Sequence, residues 1–152
     1  MNVAASDTRD IVVEQEFPHA PETIWRTLTT GALIGRWLME PTGFEPVTGK
    51  RFTFQTKPAG AWDGVIHCEV LEVIPHARLA YSWKGGHEGN SGYGSKLDTV
   101  VTWTLSRTAN GTRLRLVHAG FIVPRNQSAL ETMGNGWKKV VPSIGPVADA
   151  QD

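Results

Sequence analysis

Apolar side chains recur along this chain at two different intervals, and the places where the interval changes divide it into elements. In residues 11–17, Ile11, Val13, Gln15 and Phe17 fall on one side and Val12, Glu14 and Glu16 on the other, the two-residue period of a strand with one buried face. Pro18 and Pro21 end that rhythm. Pro21 then opens a helix whose Ile24, Trp25 and Leu28 share a face, because the first N–H groups of a helix have no intrahelical partner to lose. Gly31 interrupts it, and Leu33, Ile34, Trp37 and Leu38 form the apolar face of a second short helix ending by Pro41 and Gly43.

Five strand-like runs follow, RFTFQT, GVIHCEVLEV, RLAYSW, DTVVTWTL and TRLRLVHAGF, each bounded by Gly, Pro or Asn. Their order predicts an antiparallel meander. Leu79, Tyr81 and Trp83, Val101, Trp103 and Leu105, and Leu114, Leu116 and His118 fall on one face, with Ser82, Thr102, Thr104, Arg113 and Arg115 on the other. Asn110-Gly111 predicts a tight hairpin, since both residues tolerate positive φ. A sheet apolar on one side needs a cover. Leu130, Met133, Trp137, Val140 and Val141 recur at helical spacing behind a capping-box pattern, Ser128 to Glu131. Gly134 and Gly136 weaken that helix, and Pro142 predicts a break or kink.

The fold class expected is therefore α+β. A curved antiparallel sheet of about six to seven strands wraps a C-terminal helix, with two short helices after strand one. The predicted organisation is a disordered leader over residues 1–9, one domain over 10–145 and a tail over 146–152.

Composition narrows the function classes. The 152 residues carry 15 basic and 15 acidic side chains, a formal net charge of zero, so no basic field draws in nucleic acid. No run approaches the length of a membrane span. A lone cysteine, Cys68, and a charged leader point to a cytoplasmic protein. The glycine-rich run GGHEGNSGYGS, residues 85–95, ends in Ser95-Lys96, the reverse of a phosphate loop, and lacks the third glycine of a dinucleotide site. It reads as a flexible connection, and no cofactor is expected.

Several stretches together resemble a known family. APETIWRTLTTGALIGRWLM supplies Ala20-Pro21 and tryptophans at 25 and 37. GVIHCEVLEVIPHARLAYSW, NGTRLRLVHAGF and Gly136-Trp137 continue the likeness over about residues 10–141. This pattern resembles the helix-grip fold of the START-like, or SRPBCC, superfamily, in the branch named after the activator of the heat-shock protein 90 ATPase. The resemblance implies a sheet closed around a helix with an often apolar cavity. It also implies either a small-molecule site or a chaperone-regulating or stress-response role. Pro142 and Pro146 depart from the branch's uninterrupted last helix.

Within that frame the candidate ligand-binding residues are Trp37 from the second short helix, Phe54, Tyr81, Trp83 and Trp103 from the sheet, His118 beside them, and Met133 and Trp137 from the covering helix. The alternative for the aromatics is plain core filling, and for His118 a core histidine satisfied by its neighbours. His67 and Glu69 share a strand face without a third ligand at metal spacing. Cys68 points away from both and reads as buried and inert. No catalytic or metal residue is assigned. The expected partner is an apolar or amphipathic small molecule, with a protein-interaction module or a cyclase-, dehydratase- or hydrolase-like enzyme as alternatives.

Overall fold

The computed structural model describes residues 7–151. Six strands form one antiparallel sheet in the order β1-β6-β5-β4-β3-β2: β1 Asp7–Phe17, β2 Arg51–Gln55, β3 Val65–Ile74, β4 Arg78–Gly85, β5 Leu97–Thr108 and β6 Gly111–Val123. Helices α1 (Pro21–Thr29) and α2 (Gly31–Trp37) follow β1, and α3 (Gln127–Val140) follows β6. This is the helix-grip arrangement. No helix among the described residues is long and apolar enough to cross a membrane.

The alternation drives the sheet. Leu79, Tyr81 and Trp83 of β4, Val101, Trp103 and Leu105 of β5, and Leu114, Leu116 and His118 of β6 are buried, while Arg113 and Arg115 are exposed and face Glu16 and Glu14 across the β1–β6 pair. The register shifts between Arg9 and Asp10 in the β1–β6 pair, and between Val70 and Glu72 in the β3–β4 pair. Such irregularities bend a strand and increase its twist. The inner aromatics pack edge to face: Trp103, fully buried, lies 5.5 Å from Trp37 and 5.7 Å from Trp137 between ring centroids.

Four local readings need correction. Asp7, Thr8 and Arg9 belong to β1 rather than to a leader, pairing with Val123, Ile122 and Phe121; the rest of the predicted leader lies outside the described residues. The tail also packs. Residues Ile144–Asp149 form α4, which buries Ile144, Val147 and Ala148, so the domain continues past residue 145. The reason lies in where the prolines fall. Pro142 sits in a short 3-10 turn, Val141–Ser143, and Pro146 in the first turn of α4, where a missing N–H breaks no helical bond. The chain therefore turns at Pro142 and resumes. Gln151 then ties this end to α1 through a 2.7 Å bond from Nε2 to Thr27 Oγ1.

The third correction is the hairpin. Thr108 pairs with Gly111, so Ala109 and Asn110 form the turn. His76 is the one non-glycine at positive φ among the described residues, which excludes the predicted left-handed Asn110. Gly111 is required for a different reason, because a Cβ there would collide with the Phe17 carbonyl oxygen. The fourth is the capping box. Helix α3 starts one residue before Ser128, after Asn126, and no side chain caps it.

Gly134 sits in the interior of α3, and a Cβ on it would meet only Ile11 Cγ1 at 4.0 Å, an ordinary contact. Gly134→Ala is therefore expected to raise unfolding free energy by about 1 kcal/mol, measured by urea denaturation.

Candidate functional site

A cleft of about 350 Å³ opens between α3, the ends of β3, β4 and β5, and two loops, 56–64 and 86–96. Helix α3 supplies one wall through Ala129, Thr132, Met133, Gly136, Trp137 and Val140. These positions recur at intervals of three and four and so line one face of the helix. Trp83 and Ile66 supply the sheet side, and Leu38 and Met39 close it beyond α2. The remaining wall comes from the loops, chiefly Trp62, Tyr93 and Ser95. Gly136 matters by omission, since a Cβ there would meet no atom within 4 Å. It leaves the helix wall recessed.

The glycine-rich run is not a loose connection. His87 N–H donates to the Gly94 carbonyl at 2.8 Å, and the Asn90 amide donates to Ala59 O at 2.7 Å and to Gly94 O at 3.2 Å. The Tyr93 hydroxyl reaches Lys57 O at 3.3 Å. The two loops are thereby stitched together over the cleft. Gly86 and Gly94 adopt φ of 77° and 85°, the left-handed conformations that explain their glycines.

Of the eight candidate residues, Trp83, Met133 and Trp137 border this cleft. Trp37, Phe54, Tyr81, Trp103 and His118 do not; they lie packed behind its wall, each at most 5 % exposed. Their polar atoms are already engaged. Trp103 donates its indole N–H to the Tyr81 hydroxyl at 3.0 Å, and Trp37 donates to Thr27 O at 3.0 Å. Burial pushes the Tyr81 phenol well above its ordinary pKa. Alternation along strands identifies an inward side chain, but does not say whether the element opposite covers it. That limit accounts for the five residues that lie behind the cleft wall. Trp62 and Tyr93 escaped notice because they sit in glycine-rich loops, where a bulky aromatic is itself unusual.

His118 shows what the buried layer does. Its ring is fully buried, with Nδ1 3.0 Å from Trp137 Nε1 and Nε2 2.8 Å from Thr99 Oγ1. An indole nitrogen only donates, so Nδ1 must accept and the imidazole proton sits on Nε2. The Nε2–H then donates to Thr99, whose hydroxyl donates onward to Trp83 O at 2.7 Å. Every polar atom is satisfied by the neutral ring. Burial accordingly lowers the His118 pKa to about 3. The side chain ties α3 to β5 and to β4 and has no spare position for a substrate proton.

Cys68 is buried, and desolvation raises its thiol pKa to about 12. Its strand neighbours His67 and Glu69 face outward, away from the cleft side. Among the described residues no group of three or more His, Cys, Asp or Glu side chains converges.

The fold has counterparts among solved structures. The structure of protein MLL2253 from Mesorhizobium loti is 37 % identical and superposes with a TM-score of 0.82, over 95 % of this chain and 99 % of that one. CalU16 from Micromonospora echinospora is 27 % identical with a TM-score of 0.72, over 96 % and 80 %. BH1534 from Bacillus halodurans, at 23 % identity and a TM-score of 0.71 over 92 % and 96 %, shares the fold. No curated protein matches significantly. The family profile described as "Activator of Hsp90 ATPase homolog 1-like protein" matches residues 18–146, a span running from the end of β1 through α3 and so containing every wall of the cleft. On that match, the chain belongs to the activator of Hsp90 ATPase homolog 1-like family, in the START-like superfamily.

Proposed function

We propose that this protein is a small-molecule-binding domain whose cleft beneath α3 takes one apolar or amphipathic guest. The observation that carries this reading is the cleft's lining: aliphatic and aromatic side chains with a few hydroxyls, in a volume of about 350 Å³. Sites for small ligands typically span roughly 300–1,000 Å³ and have this composition. Burying roughly 300 Å² of apolar guest surface would contribute about 7 kcal/mol, less several for immobilisation. The expected affinity is micromolar.

Binding is favoured over turnover by the same lining. Tyr93 is its one side chain with an acid or base function, at the rim, with its hydroxyl on Lys57 O. A general base needs to reach the substrate proton with a pKa near the working pH, and His118 stands behind the wall, already hydrogen-bonded at both nitrogens. The family's description raises contact with a chaperone as another reading; the cleft puts ligand binding first.

A thermal-shift screen against neutral polycyclic aromatics, fatty acids and sterols tests this. A binding guest at a hundredfold its Kd should add about 2.7 kcal/mol of stability. No shift across the whole panel would contradict the reading.

A further inference from the structure

We propose that the indole N–H of Trp83 selects the guest, and that the guest is an uncharged apolar molecule presenting an acceptor oxygen, such as a ketone, to it. This rests on the ligand-binding reading and narrows it to a chemical class.

Trp37, Trp62, Trp103 and Trp137 each donate their indole N–H, to Thr27 O, Val65 O, Tyr81 Oη and His118 Nδ1, all at 3.0 Å. Trp25 lies away from the cleft, on α1. Trp83 is different. Trp83 is 3 % exposed and borders the cleft, yet its N–H has no acceptor among the described residues. It is not sealed in either, because Thr108 Oγ1 is the one sealed side-chain polar atom without a partner among those residues. The Trp83 N–H therefore keeps access to open space, and the open space that Trp83 borders is the cleft.

Such a donor is incomplete chemistry. Buried polar groups are nearly always paired, and leaving one unpaired is costly. An indole nitrogen carries a proton and no available lone pair, so its partner must be an acceptor.

Ser95 adds a second donor. Asn126 Oδ1 accepts the Ile122 N–H at 2.9 Å, which turns its amide nitrogen toward Ser95 Oγ at 3.1 Å. Ser95 must accept there, and its own hydroxyl proton has no acceptor among the described residues. At 1 % exposure it too borders the cleft. The lining contains no side chain with a formal charge, so an ionised guest would lose its hydration without gaining a counter-charge. Donors without charge select a neutral acceptor.

Three probes of one shape read this out: acetylnaphthalene, ethylnaphthalene and naphthoate, substituted at the same ring position. Affinities come from titration, and the Trp83 indole proton is followed by NMR in the unmodified protein, assigned through its contacts with Phe54. The ketone is expected to bind roughly tenfold more tightly than the ethyl compound, the worth of one net hydrogen bond. It should also move the Trp83 resonance downfield, and naphthoate should bind most weakly. In Trp83→Phe the preference for the ketone should fall to the part that the Ser95 hydroxyl alone supports. Equal affinities with an unmoved Trp83 resonance would overturn the donor assignment while leaving ligand binding intact. Tightest binding by naphthoate would overturn the uncharged class. If none of the three binds, this inference falls, while the ligand-binding reading stands or falls with the wider thermal-shift panel.

Discussion

Replacing His118 with alanine is expected to cost the fold about 3–5 kcal/mol, combining the cavity left by a fully buried ring with the loss of its hydrogen bonds. Trp137 would keep a buried N–H with no acceptor, and Thr99 would lose its incoming donor while still bonded to Trp83 O. A His118→Phe variant separates the parts. It refills the space between Trp83, Phe121 and Trp137, so its smaller cost reports mainly the stranded indole, about 1–3 kcal/mol.

Acid sharpens this test. The folded-state pKa of His118 lies at about 3, below the ordinary 6.5, so as pH falls the unfolded chain takes up the proton first. Stability from the neutral ring is complete above about pH 6.5 and is lost progressively as pH drops toward 3. Each pH unit in that window is worth about 1.4 kcal/mol. By about pH 5 the contribution has fallen by about 2 kcal/mol. Urea denaturation should show the gap between the native protein and His118→Phe shrinking by that amount between neutral pH and pH ~5. A gap that stays constant would mean that His118 does not resist protonation.

The second large effect is on binding. Gly136→Phe is expected to weaken guest affinity by about a hundredfold or more, because it converts the recess in α3 into a plug and forfeits most of the apolar contact that drives binding. The variant should remain folded. A Cβ at Gly136 meets nothing within 4 Å, and phenylalanine has a better helix propensity than glycine by a few tenths of a kcal/mol. Loss of binding here therefore reports the space itself rather than damage to the core. Gly136 differs in this from Trp103 or Tyr81, whose truncation would open cavities behind the wall.

Much of the architecture was legible in the sequence because it rests on periodicity. The two-residue rhythm of Ile11 to Phe17 and of Leu114 to His118 set the strands and their inward faces. The three-to-four spacing from Leu130 to Val140 set the covering helix. Departures came where a residue's role depends on distant chain. Ser128 looks like a helix cap by its spacing to Glu131, yet α3 has already begun at Gln127, and the residue before it, Asn126, spends its amide on Ser95, Lys96 and Ile122. Gly111 looks like a turn glycine and is needed because Phe17 O approaches it. The cleft was legible in part. Trp83, Met133 and Trp137 could be chosen for facing inward, but only the packing of α3 and the two loops separates a wall from the layer behind it. His118 makes the same point: its alternation is that of a ligand contact, and its partners make it a structural connector.

Tryptophan fluorescence titration of the native protein and Gly136→Phe with acetylnaphthalene tests the central claim most directly, because Trp62, Trp83 and Trp137 all border the space in question. The expected result is a saturable, single-site curve in the micromolar range for the native protein, and its loss in the variant while the variant's unfolding transition is retained. Indistinguishable curves for the two, or a native signal that never saturates, would contradict a guest site beneath α3.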